Sequence, residues 1–225
     1  MTEGESEYHS RYFATRFPYD AGRDLVWQEV SRYLQGRDIP DTATILELGA
    51  GYCHFINNVR GKARHALDLS PDLPKRVAAG VVPHVGSCTS LTMFADGSVD
   101  VVFASNLFEH LTRDELSMAL RQIRRVLSDR GRLIVVQPNF RYCAREYFDD
   151  YTHLQVFTHI GLADRLRAEG FRIVRSIPRF LPFSMKSRLP KSRWLVRMYL
   201  HSPFRPFGAQ MLLVAQVASG ASSED

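Results

Sequence analysis

The apolar positions change period along the chain. Up to about residue 36, Leu25, Val26, Val30 and Leu34 recur near helical spacing, which predicts a helix within residues 8–36. Pro40-Asp41 then breaks the chain. Short continuous apolar runs follow at 44–48, 66–69, 81–85, 99–104 and 133–136. Runs of that length, bounded by turn residues, read as buried strands. Helical patterns fall among them at 54–60, 114–127 and 160–168. Thr112-Arg-Asp-Glu115 is a capping box, in which hydroxyl and carboxylate satisfy the free amides at a helix start. Gly131 and Gly170 are placed to end the two later helices. Two further strand candidates, 171–177 and 210–217, close the pattern. Alternation of this kind predicts an α/β fold, a parallel sheet covered by helices.

Composition narrows the class. The chain has 225 residues, 45% hydrophobic and 24% charged, which suits one soluble α/β domain with a full core. No apolar run reaches the roughly 18–20 residues a membrane span needs. The segment Met1-Thr-Glu-Gly-Glu-Ser-Glu-Tyr8 is acidic and polar, unlike a signal peptide. Cys53, Cys88 and Cys143 show neither a disulfide framework nor zinc-ligand spacing, so a cytoplasmic location is expected.

The net charge of +5 is uneven. No Asp or Glu occurs from Phe171 to Ser223, a stretch that holds Arg172, Arg175, Arg179, Lys186, Arg188, Lys191, Arg193, Arg197 and Arg205. Two readings stand: a solvated basic face, or a surface for an anionic partner. Residues 179–207 form a basic aromatic insertion between the last two strand candidates, long enough to be functional. Within it Trp194, Leu195, Met198, Tyr199 and Leu200 suit a short amphipathic helix. That helix would be a lid over the site or a peripheral contact with the inner membrane face.

The densest chemical signal is Thr44-Ile-Leu-Glu-Leu-Gly-Ala-Gly-Tyr-Cys53. An apolar run ends in Glu47, and Gly49 and Gly51 follow. This is a strand running into a tight turn whose backbone can approach a ligand closely. Ligands of parallel sheets bind at the carboxyl ends of the strands. Those ends are Glu47 to Gly51 with Ala50, then Asp68-Leu69, then Ser87-Cys88, then Asn106. Asp68 lies about 20 residues beyond the turn, where a carboxylate can bind ribose hydroxyls. The dinucleotide fingerprint fails, because His54 stands at its third glycine. Glu47 under the loop suits a cationic ligand better than a phosphate.

With Glu47-Leu-Gly-Ala-Gly51, Asp68 and the segment from Asp96 to Leu111 in this order, the chain resembles the class I S-adenosylmethionine (SAM) methyltransferases over roughly residues 40–175. The resemblance implies a Rossmann-like sheet of seven strands, mostly parallel with the last antiparallel, and helices on both faces. It implies SAM as cofactor, with Gly49 and Gly51 beside its methionine part, Asp68 on its ribose and Ser87-Cys88 beside adenine. Many relatives carry Asp where Ser87 stands, and Cys53 replaces the third glycine of their fuller motif. The corresponding organisation is an N-terminal helical cap over 1–40, a methyltransferase domain over 41–218 and a tail over 219–225.

Methyl transfer from a sulfonium is an in-line displacement, so donor and acceptor must be aligned. A hydroxyl acceptor also needs a base of near-neutral pKa. His110, after the fourth strand, and His153, in Phe148-Asp-Asp-Tyr-Thr-His153, are the candidates. Asp149 and Asp150 beside His153 suit sugar hydroxyls, and Tyr147, Phe148 or Tyr151 suits a ring face. Asp149, Asp150, His153 and His159 lack a recognised metal-ligand spacing. The segment 178–194 with Asp-Asp-Tyr-Thr-His153 is similar to small methyltransferases of bacterial surface-glycan and glycosylated-metabolite pathways. The expected acceptor is therefore a hydroxyl or amine of a sugar-containing small molecule, with anionic character. A lipid, quinone or polyketide is the alternative. RNA is disfavoured, since Ser105-Asn-Leu-Phe108 is not the Asn-Pro-Pro-aromatic type, and no nucleic-acid partner is expected.

Overall fold

The structure, a computed structural model, describes residues 20–183 and 192–218. Helix α1 (Ala21–Leu34) starts at Asp20, whose carboxylate accepts the Gly22 amide. Strands β1 (Thr44–Leu48), β2 (Ala63–Asp68), β3 (Val81–Val85) and β4 (Val99–Ser105) follow, with the short helix α2 (Leu73–Arg76) before β3. Then come α3 (Arg113–Val126), β5 (Leu127–Pro138), the one-turn α4 (Phe140–Cys143), α5 (His159–Ala168), β6 (Phe171–Pro182), α6 (Arg193–His201) and β7 (Gly208–Val217). The sheet order is β3-β2-β1-β4-β5-β7-β6. The first five strands are mutually parallel, and β7 runs antiparallel to both β5 and β6. The expected seven-stranded, mostly parallel Rossmann-like architecture is what the chain adopts.

Side-chain alternation along the strands builds two cores. Leu46 and Leu48 of β1, Val102 and Ala104 of β4, and Leu133 and Val135 of β5 pack under α3 and α5. Ile45, Val101, Phe103, Ile134 and Val136 point the other way, against Val26, Trp27, Val30 and Leu34 of α1. Phe103 anchors this second core, stacked on Phe55 at 3.7 Å and met edge-on by Trp27 at 5.9 Å. Aromatic pairs of this kind contribute about 0.5–1.5 kcal/mol beyond the area they bury.

The capping box forms as expected, with the Glu115 amide bonded to Thr112 and the Glu115 carboxylate reaching back. Two expectations are corrected. The helix expected over 54–60 is a run of turns. Glu47 takes the Ile56 amide at 3.0 Å, which removes that rung from a helical ladder. Gly131 does not end α3, which stops at Val126. It lies within β5, where a Cβ would sit 2.8 Å from the Ser128 carbonyl oxygen, so close backbone approach requires the glycine there.

Candidate active site

The four strand ends named in the sequence lie side by side, because β3, β2, β1 and β4 are consecutive in the sheet. Gly49 (φ 64°) and Gly51 (φ 53°) occupy the left-handed region, and so do Cys53 (φ 60°) and Asn106 (φ 48°). Glycine adopts such angles without strain, whereas other L-residues pay for them. The Ala50 amide bonds the Leu67 carbonyl at 3.1 Å, tying the turn to β2. Asp68 completes that tie: Oδ2 accepts the Gly51 amide and Oδ1 the Ser70 amide, both at 2.8 Å. Its carboxylate is therefore held rigidly at the lip of the glycine turn, with Leu69 half-buried beside it. The Gly86 amide bonds the Asp68 carbonyl at 2.9 Å and brings the next two residues to the same edge. There Ser87 Oγ lies 2.8 Å from Thr89 Oγ1, and Cys88 is buried. Asn106 follows β4, its amide bonded to the Val136 carbonyl at 2.9 Å.

Glu47 has a role the sequence did not reveal. It is buried beneath the turn, and burial pushes its carboxyl well above the ordinary range. The same carboxyl serves as a hydrogen-bonded strut that holds Ile56. All three thiols are buried and free, and burial raises each to about 12, so none is a nucleophile at neutral pH. Beside the turn, Asp24, Tyr52, His54, Asn57, Asn58 and Arg76 line a cavity of about 460 Å³. Arg76 braces the turn by donating to the Gly51 carbonyl at 3.1 Å and lying over the Tyr52 ring.

Across the sheet end from this turn, two loops far apart in sequence converge. The segment Phe108–His110 forms one helical turn after β4, and 147–155 folds back onto it. The Glu109 carbonyl accepts the amides of Leu154 at 2.8 Å and Gln155 at 3.1 Å. His110 and His153 come together with ring centroids 4.9 Å apart, and His153 lies 4.4 Å from the Tyr147 ring. Asp150 accepts the Thr152 hydroxyl at 2.6 Å, and Thr152 Oγ1 lies 2.9 Å from His110 Nδ1. Asp150, Thr152 and His110 thus form a chain. Burial, with the neighbouring His153, lowers His110 to about 4, so its imidazole is neutral at physiological pH. Asp149 stands exposed on the rim, next to the exposed rings of Phe148 and Tyr151.

The sequence reading missed Glu109, Tyr147 as a buried support, and Thr152. Glu109 is fully buried, and burial raises its carboxyl to about 8 against the counter-effect of its own amide. Among the described residues neither carboxylate oxygen has a hydrogen-bond partner in another residue. The signal available was an acid adjoining a histidine immediately after a strand.

The acid-free basic stretch is not bare in space. Arg175 pairs with the buried Asp38, and Arg197 pairs with the buried Glu29 of α1 at 3.1 Å. Arg179 donates to the Gly208 carbonyl at 3.0 Å and lies over the Tyr142 ring. The expected amphipathic helix exists as α6, with Leu200 buried and Trp194, Leu195 and Met198 exposed. Lys186, Arg188 and Lys191 lie outside the described residues. No described helix is long and apolar enough to cross a membrane.

Residues 46–135, which carry the glycine turn, Asp68, Asn106 and the Glu109-His110 pair, match the family model described as a methyltransferase domain. The match covers less than half of the chain, and the fold is the one that solved SAM-dependent methyltransferases adopt. What the chain shares with them is the methyltransferase-domain match over 46–135 and the sheet architecture. The chain is 29% identical over 154 residues, 68% of its length, to an uncharacterized protein of Methanocaldococcus jannaschii. That match takes in 65% of the relative's length. Among solved structures it resembles a SAM-dependent methyltransferase from Archaeoglobus fulgidus (TM-score 0.65, 20% identity, 93% of this chain and 99% of that one). It also resembles the 1,6-didemethyltoxoflavin-N1-methyltransferase of Burkholderia thailandensis, solved with bound S-adenosylhomocysteine (TM-score 0.60, 19% identity, 95% of this chain and 87% of that one).

Proposed function

We propose that the chain transfers the SAM methyl group to a hydroxyl or amine of a sugar-containing small molecule. The observation that carries this reading is the convergence of His110, His153 and Asp150 beside the exposed rings of Phe148 and Tyr151. Carboxylate and imidazole bind sugar hydroxyls, and an exposed aromatic stacks on a sugar ring. In this reading Gly49, Ala50 and Gly51 cradle the methionine end of SAM. Asp68 and Leu69 take the ribose, Ser87 and Cys88 the adenine edge, and Asn106 the side facing the acceptor. Glu47 acts indirectly, by shaping the turn. His153 orients or deprotonates the acceptor. Asp150 holds His110 through Thr152, and Asp149 sits at the acceptor rim. Peripheral membrane contact through 179–207 has the exposed Trp194 and Met198 in its favour. The inward pairing of Arg175 and Arg197 counts against it.

The test is methyl transfer from labelled SAM to a panel of nucleotide sugars, beside a panel of hydroxylated aromatics. Label entering nucleotide sugars is expected. For a hydroxyl acceptor, His153→Ala should lower kcat by about 10²–10⁴, the usual worth of a general base, with SAM affinity unchanged. Label entering only the aromatics, or full kcat in His153→Ala, would overturn the substrate reading or the role of His153 respectively.

A further inference from the structure

Glu109, His110 and His153 each present one ligand atom, and these atoms all lie within 4.8 Å of one another. We propose that they form a binding site for a single divalent first-row transition-metal ion, zinc in the first instance.

Three features carry this. The first is the buried Glu109 carboxyl, which lacks a hydrogen-bond partner in another residue. Burying a carboxyl that no other residue satisfies is unfavourable, and a cation bound there would offset that cost. The second is the tautomer of each imidazole. His153 Nδ1 lies 2.6 Å from the Tyr147 carbonyl, which can only accept, so Nδ1 carries the proton. His110 Nδ1 lies 3.2 Å from the Thr152 carbonyl and takes the same form. With Nδ1 donating, each ring in its neutral form carries its lone pair on Nε2, the arrangement that second-shell carbonyls impose on metal-ligating histidines. The third is the outer support: the Asp150 carboxylate, acting through the Thr152 hydroxyl, fixes the His110 ring.

The donor set selects the metal. Two imidazole nitrogens and one carboxylate suit zinc or its first-row neighbours, whereas magnesium and calcium prefer all-oxygen shells. Three protein ligands are also the number that leaves a catalytic zinc one open position. The inference shares its residues with the proposed acceptor site and rests on that reading for its place beside the methyl donor; with zinc on its Nε2, His153 would orient the acceptor rather than deprotonate it.

The experiment is calorimetric titration of the full chain, stripped with EDTA and dialysed, using Zn²⁺ and in parallel Mg²⁺. S-adenosylhomocysteine binding, measured on the same samples, reports the fold. One Zn²⁺ per chain, with no Mg²⁺ signal, is expected. Glu109→Gln preserves shape and removes only the charge, and should weaken Zn²⁺ binding at least tenfold, the lower bound seen even for outer-shell changes. His153→Gln, at a half-buried position, should do the same and serves if Glu109→Gln does not fold. Absence of stoichiometric zinc, or zinc affinity unchanged in both variants, would overturn the site. Cofactor binding without zinc binding sinks this inference alone. Zinc binding without cofactor binding sinks the cofactor assignment and leaves the metal site standing.

Discussion

The two halves of the proposed site, one for the cofactor and one for the acceptor, are built from different materials. The cofactor half is mostly backbone. Its geometry comes from two glycines at positive φ, from amides of Ala50 and Gly51 tied to β2, and from the one carboxylate of Asp68 bonded to main chain. The acceptor half is mostly side chain. Glu109, His110, Tyr147, Asp150, Thr152 and His153 come from two loops some 40 residues apart and touch because 147–155 folds back on Phe108–His110. Backbone sites serve a ligand that does not vary, and side-chain sites can be rewritten without disturbing the sheet. The same scaffold can therefore keep one cofactor and change acceptors.

The largest test of this contrast is Asp68→Ala. It removes two carboxylate-to-amide bonds that fix the turn, together with the proposed ribose contact. Hydrogen bonds to charged groups contribute about 1.5–3 kcal/mol each. We expect SAM affinity to fall about 100-fold, equivalent to about 3 kcal/mol. Zinc binding at the other half should be unchanged. A loss confined to the acceptor half, with SAM affinity intact, would break the division between the two.

Next in size is Glu47→Gln. Burial raises the Glu47 carboxyl in the folded chain. The folded state therefore holds a proton that the unfolded state has released. The contribution of Glu47 to stability is then fully present below the ordinary carboxyl value of 4.5 and is lost as pH rises through the folded pKa. The slope approaches about 1.4 kcal/mol per pH unit while one proton separates the states. A glutamine can still accept the Ile56 amide and has no proton to lose. Tm measured across pH 5 to 8 should therefore fall less steeply in Glu47→Gln. Parallel curves would show that Glu47 is ionised beneath the turn, restoring it as the partner of a cationic ligand.

These differences explain what could be read from the chain alone. Gly49, Gly51 and Asp68 announce their geometry locally, because a positive φ or a strand end needs no distant partner to be recognised. The strand alternation was equally legible, since period-two burial belongs to each strand. Glu109 was not, because its significance depends on which loop covers it and on its oxygens taking no hydrogen bond from another described residue. The ion pairs of the basic stretch were hidden for the same reason. The acids that pair with Arg175 and Arg197 are Asp38 and Glu29, more than 130 residues upstream and brought alongside only by the packing of α1 and the following turn on β6 and α6. Gly131 looked like a helix end because a close approach to Ser128 cannot be told from a cap by residue type.

The smallest effect discriminates most finely within the cofactor half. Gly49 and Gly97 both lie at positive φ, 64° and 66°. Alanine at either place should cost about 1 kcal/mol of stability through left-handed strain alone. They differ in surroundings. A Cβ on Gly97 meets nothing within 4 Å, whereas one on Gly49 lies 3.1 Å from Cδ1 of Leu107, the residue after Asn106. Leu107 is half-buried and can give way, but its shift would carry into the β4 turn. Gly97→Ala should therefore lower Tm with SAM affinity unchanged. Gly49→Ala should lower Tm by a similar amount and SAM affinity by roughly tenfold, equivalent to about 1.4 kcal/mol. The pair separates folding strain from site geometry, because the strain is common to both and only one sits against the proposed methyl donor. Equal SAM affinity in the two variants would mean that the turn tolerates a side chain. Close backbone approach at Gly49 would then not be what selects the cofactor.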